Sequence, residues 1–239
     1  IILSNASIPL LGLVDTAILG HLPSGVYLAA VTLGAVIFSF LYWSFGFLRM
    51  GTTGLIAQAY GAQEKQQLAT YLSQALVFAI LLGFALQALR PWLEQLIALL
   101  NASEEAKQLA LEYVQIRLFS APAVLVQYVV LGAAIGMGRS KIVLLLLLIT
   151  NLTNLVLDVY FVLGLGMLSE GVAWASLIAE VLAAVLGLAW LVKTCNKMQV
   201  RLYLPSISWE ANKKLSQVNA NLFVRTLALL FALAFFTRQ

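Results

Sequence analysis

Two acidic residues stand where acids are hard to keep. Asp158 lies in the apolar stretch 150–165, TNLTNLVLDVYFVLGL, together with Asn151 and Asn154. These three sit at i, i+3 and i+7, so on a helix they share one face. Asp15 lies in a second apolar stretch, 1–19, with Asn5, Pro9, Gly12 and Thr16 on roughly the same stripe. An acid within a membrane helix is costly, faces protein or a wet cavity, and marks a functional site by default. Desolvation and a nearby like charge both favour the protonated form of a carboxylic acid. Such a pair could therefore take up a proton on one side of a membrane and release it elsewhere. Asn151 and Asn154 would offer amide donors and acceptors to either state. Alternatively, two carboxylates with amide oxygens and a hydroxyl could hold a sodium ion, since hard cations prefer oxygen ligands. If these acids served only to bond neighbouring helices, Ser or Thr would do so at far lower cost.

The rest of the chain must place these residues in a membrane. Of 239 residues, 62% are hydrophobic and 10% charged, and the mean hydropathy is +0.96. A soluble domain carries about 25% charged residues. This chain cannot cover a water-facing surface, so an all-α polytopic membrane bundle is expected. The net charge of +4 is small, and its basic residues lie between apolar segments. That pattern argues for membrane orientation and against nucleic-acid binding. One cysteine, Cys195, excludes an internal disulfide and a multi-cysteine metal site, and one histidine, His21, excludes histidine clusters. The chain starts without methionine inside an apolar run and stops just after another. It reads as a piece of a longer protein.

Apolar segments of spanning length cover about 1–19, 28–60, 67–89, 106–136, 142–163, 171–193 and 215–237. A span needs about 20 residues, so six spans and a seventh are expected. The second and fourth exceed that length and must tilt, bend or project. Pro122 predicts a bend in the fourth. Basic residues set the orientation. Lys65, Arg139, Lys141, Lys193, Lys197, Arg201, Lys213 and Lys214 fall on one side, against Arg90 and Lys107 in the opposite loops. The positive-inside rule makes the first side cytoplasmic. Spans one and five then run outward from an amino-terminal side in the cytoplasm. Asp15 precedes the end of its span at Gly20 by five residues, and Asp158 precedes Gly164 by six. At 1.5 Å per residue, both acids lie about 8 Å inside the outer end. Residues 196–214 read as a cytoplasmic connector.

Small residues at Gly132 and Gly136, and at Ala175, Ala179, Ala183 and Gly187, predict close helix approach. Glu180 lies mid-span and is expected either to line a cavity or to pair with a basic residue. Arg49 and Arg117 are expected to snorkel or to form ion pairs. Glu112 is expected near the outer interface, and Cys195 and His21 receive no role. The sequence contains no GxxxxGK[ST], GxSxG or HExxH. It therefore offers no P-loop and no nucleophile–base constellation, and no enzymatic activity is expected. An ion gradient is the remaining energy source for active transport.

PLLGLVDTAILGHL (9–22), GFLRMGTTGLIAQAYGA (46–62), the GAAIGMGRSK that closes span four and NLTNLVLDVYFVLGLGM (151–167) resemble the multidrug and toxic compound extrusion (MATE) family. Within it the chain is most similar to the DNA-damage-inducible protein F branch. The resemblance runs over nearly the whole chain and keeps the span order. It implies twelve helices in two six-helix lobes around a central cavity. Residues 1–195 would be the N-terminal lobe, 196–214 the connector, and 215–239 the seventh helix, with the rest of the C-terminal lobe beyond this sequence. It further implies a cation site at Asp15, Asn154, Asp158 and Ser176; apart from the resemblance, the positions of Asn151 and Glu180 make them candidates to line a cavity. Relatives often carry threonine where Ser176 stands, and serine keeps the hydroxyl. Pro9 and Gly12 would allow the first helix to bend when Asp15 is protonated.

The function expected on these grounds is secondary active transport: proton- or sodium-coupled antiport that exports cationic or amphipathic compounds across a bacterial-type cytoplasmic membrane. No cofactor beyond the coupling ion is expected. The partners are small molecules, membrane lipid and the C-terminal lobe of the same protein. The alternative is a related flippase for lipid-linked cargo. A large basic cavity would favour it, whereas the charges at shared depth here are acidic.

Overall fold

A computed structural model describes Gly20 and residues 24–204. Asn5, Pro9, Gly12, Asp15, Thr16 and His21 lie outside the described residues, as do most of the connector and the seventh span. The described chain is helical, with no strand among its elements. α1 (Gly25–Ser44) and α2 (Gly46–Gly61) form one broken span. α3 (Lys65–Ala85) continues through a 3₁₀ segment (Leu86–Trp92) into α4 (Leu93–Ala98). α5 (Glu104–Leu118) and α6 (Ala121–Gly136) meet at a 54° bend. α7 (Ser140–Asp158) runs into a π-helical turn (Val159–Gly164), and α8 (Leu168–Lys197) is the longest helix among the described residues. Each of the five segments expected between residues 28 and 193 thus forms a helix, a broken helix or a bent pair long and apolar enough to cross a membrane. Apolar side chains such as Phe40, Trp43, Phe84, Leu152, Val156 and Val185 are exposed on the outside. Hydrocarbon is the medium in which such a surface is stable.

The bend in the fourth span follows from Pro122. Its missing N–H leaves the Leu118 carbonyl without an i+4 donor. The Gln87 side chain fills that place, with Nε2 donating to Leu118 O at 2.7 Å. Ser120 caps the break from the other side: its Oγ donates to Arg117 O at 2.7 Å. Replacing Gln87 by Met should leave a buried acceptor unpaired and cost about 1–3 kcal/mol. Thermal unfolding in detergent would show it, and an unchanged midpoint would refute this account of the bend.

α6 sits at the centre, packed on α2, α3 and α8. Its glycines permit this. A Cβ on Gly132 would lie 2.7 Å from the Arg49 carbonyl oxygen, and one on Gly136 would lie 2.9 Å from that of Thr53. The α8 stripe behaves likewise. Ala175, Ala179 and Ala183 are buried, and a Cβ on Gly187 would meet Val130 Cγ1 at 2.9 Å. Backbones pack closely where side chains are small.

Some expected positions shift. Arg90 is not in a loop but within the 3₁₀ segment. There its guanidinium lies 3.9 Å from the Phe119 ring centre and donates to Gln115 O at 3.3 Å. Lys193 and Lys197 belong to the last turns of α8 rather than to the connecting segment. Lys65 and Gln199 meet at 3.4 Å, so the start of α3 and the end of α8 share one end of the bundle.

Candidate functional site

α7 carries its polar residues on the side turned to α8. Asp158 is its last α-helical residue, and the π-helical turn follows at once. π-turns open the regular hydrogen-bond ladder and are frequent at functional sites. Asn154 lies one turn earlier, and Ser176 faces it from α8. All three are buried: Asp158 is 0% exposed, Asn154 1% and Ser176 4%. With its nitrogen toward the carboxylate, the Asn154 amide donates to Asp158 Oδ2 at 3.1 Å. Its oxygen then accepts from Ser176 Oγ at 3.1 Å and from the Ser176 amide at 3.3 Å. With the amide reversed, Nδ2 would point at Ser176 Oγ but also at the Ser176 N–H, donor against donor, and the oxygen would face the carboxyl group. The first arrangement suits an ionised Asp158. The second suits a protonated one, because only a carboxylic O–H can donate to the amide oxygen. The oxygens of all three side chains also form a hard donor set.

The structure brings Asn154, Asp158 and Ser176 together. Asp15, Pro9 and Gly12 fall outside the described residues. Asn151 is half-buried and flanks the line. Thr150, half-buried as well, extends the buried pair Asn154 and Asp158 at i, i+4 and i+8. Gln127 on α6 reaches it, with Nε2 3.4 Å from Thr150 Oγ1. Sequence reasoning passed over Thr150 and Gln127, although the i+4 spacing of Thr150 was visible.

Glu180, one turn beyond Ser176, pairs with Arg117 of α5, so of its two expected uses the ion pair is the one seen. Arg117 Nη1 donates to Tyr113 Oη at 3.0 Å, and the guanidinium lies 4.9 Å from the Phe38 ring centre. Tyr42 Oη and Ser120 Oγ are 3.3 Å apart, and Tyr128 Oη donates to Tyr42 O at 3.3 Å. No spacing in the sequence joins these residues, because they come from four helices.

Long apolar helices, exposed apolar side chains and a buried carboxylate define a multi-pass integral membrane protein with a polar interior. A protein-family model described as MatE matches residues 1–160, and the chain belongs to that family of multidrug and toxic compound extrusion transporters. It is 40% identical over 230 residues to "DNA damage-inducible protein F" of Escherichia coli, covering 95% of this chain and 50% of that protein. It is 27% identical over 214 residues to "Probable multidrug resistance protein NorM" of Thermotoga maritima, covering 87% and 46%. Among solved structures, a multidrug resistance MATE family transporter of the MOP superfamily, in an outward-facing conformation, superposes with a TM-score of 0.85 at 26% identity, covering 97% of this chain and 52% of that one. A MOP superfamily transporter from Pyrococcus furiosus gives 0.84 at 25%, covering 97% and 52%. The chain spans about half the length of these relatives.

Proposed function

We propose that this chain is the N-terminal lobe of a cation-coupled antiporter that exports cationic or amphipathic compounds across the cytoplasmic membrane. The observation that carries this reading is the buried Asn154–Asp158–Ser176 cluster at membrane depth. An acid kept there must exchange a partner, and the amide beside it can answer to either state. Asp15, the acid of the segment 1–19, is the proposed second carboxylate of this site. A second lobe of similar length closes the cavity. The positive-inside rule supports a cytoplasmic position for the basic end of the bundle.

In this mechanism Asp158 holds a proton or a sodium ion. Protonation of Oδ2 reverses what it asks of Asn154, and the amide turns its oxygen to the acid and its nitrogen to Ser176. A sodium ion would draw the Asn154 and Ser176 oxygens toward the carboxylate. Either event changes the polar lining of the lobe. Linkage requires that the ion lower cargo affinity by the same factor as cargo lowers ion affinity.

The test is transport by the intact protein in sealed vesicles, under an imposed proton gradient and, separately, a sodium gradient. Cationic dye efflux is expected to follow one of the two gradients and to stop when that gradient is collapsed. Efflux indifferent to both would refute the coupling.

A further inference from the structure

Glu180 and Arg117 form a largely buried ion pair that the ion site does not use. Their side chains are 15% and 13% exposed. The pair is incompletely satisfied: Glu180 Oε2 and Arg117 Nε are buried and have no hydrogen-bond partner among the described residues. A buried pair with unmet bonds stabilises a fold no better than well-packed apolar side chains of similar size. Stability therefore does not explain why these charges stand inside the membrane, where ionisable residues mark function.

Their placement does. Glu180 follows Ser176 by one turn of α8, about 6 Å along the axis. Arg117 ends α5 at the bend, and its own carbonyl is capped by Ser120. Ser120 meets Tyr42 on α1, three residues before that span breaks at Phe45. Two helix breaks and the helix bearing Ser176 are thus joined through one polar network. The other titratable groups around the pair are Tyr113 on α5, Tyr42 on α1 and Tyr128 on α6, with Arg49 of α2 next to Tyr128.

We propose that Arg117 and Glu180 are positioning residues for the ion site: the pair fixes the α5–α6 bend to α8 and so sets how tightly Asn154, Asp158 and Ser176 hold the coupling ion. This rests on the coupling role proposed for that cluster. The pair touches neither ion nor cargo. It holds Ser176 in register with Asn154 by anchoring the next turn of the same helix to a bent neighbour.

The informative variant is Arg117→Met combined with Glu180→Leu, which removes both charges and leaves neither partner stranded. The readout is the concentration of driving ion that gives half-maximal dye efflux from vesicles holding the intact protein. That concentration is expected to move at least about fivefold, the lower range of a coupling factor, while the protein inserts and unfolds as the parent does. The exchange Arg117→Glu with Glu180→Arg restores a pair of opposite charges and should bring the value back toward the parent's. An unchanged half-maximal concentration in the apolar variant overturns the proposal. If the apolar variant does not insert, the charge exchange is read against Glu180→Gln, and equal half-maximal concentrations in those two overturn it as well. Asp158→Asn separates the two claims. If it abolishes ion dependence while the apolar variant is normal, only the positioning role fails. If it leaves ion dependence intact, the coupling role itself fails.

Discussion

Asp158→Asn should abolish gradient-driven export while the protein still folds and inserts. The substitution changes charge and little else. An amide at this position still accepts the hydrogen bond that Asn154 now gives to Asp158 Oδ2 at 3.1 Å. Packing between α7 and α8 is therefore preserved, and removing a buried charge from a 0% exposed position relieves a desolvation cost. What is lost is the group that can gain and release a proton, or carry full charge toward a sodium ion. If ion and cargo oppose each other by a typical coupling factor of about 5–150, that factor should fall to about one. Cargo would then bind with the same affinity at high and low concentrations of the driving ion. Equilibrium binding of a cationic dye, titrated across that range, measures this directly. Full ion dependence in Asp158→Asn would overturn the assignment. Asp15→Asn is expected to give the same loss if Asp15 completes the site.

Glu180→Ala should be the most destabilising single change in the interior polar network. It strands the Arg117 guanidinium beside Phe38 and Tyr113, which are buried. Removing one partner of a buried pair costs about 3–5 kcal/mol, whereas replacing both by apolar side chains is often neutral. The Tyr113 hydroxyl and the Phe38 ring offset part of the loss through the contacts they already make. The thermal midpoint of the purified protein should fall clearly for Glu180→Ala and recover in Arg117→Met/Glu180→Leu. Equal midpoints in all three proteins would mean that the pair is hydrated, and the account of it as a dry ion pair would fail.

Much of this was legible before any fold was known, for reasons that differ by residue. The spans were readable because lipid requires long apolar helices, and composition reports that directly. Pro122 announced the bend because a missing N–H acts locally. Gly132, Gly136 and the alanines of α8 announced close packing because only small residues permit it. Asp158 and Asn154 stood out because lipid makes each of them costly. Their partner Ser176 did not: a serine in a membrane helix is common, and only resemblance to a family singled it out. Thr150 was hidden in the same way, although its spacing to Asn154 and Asp158 suits a helix face much as that of Asn151 does.

Gln87 could not have been found. Its place at the Leu118 carbonyl depends on how α3 lies across a bend 31 residues further on. The same holds for Glu180. The sequence allowed either a cavity residue or an ion-pair partner, and 63 residues separate it from Arg117. By itself, the sequence determined that the protein lives in a membrane, which segments are long and apolar enough to cross it and which of its acids are costly to keep there. Those are properties of single residues and of their periodicity along one helix. The tertiary structure decided which side chains meet: the Asn154 amide between Asp158 and Ser176, Arg117 on Glu180, and Gln87 at the break. Contacts between helices depend on crossing angles and bends, which arise from the packing of whole faces and leave no fixed spacing in the chain.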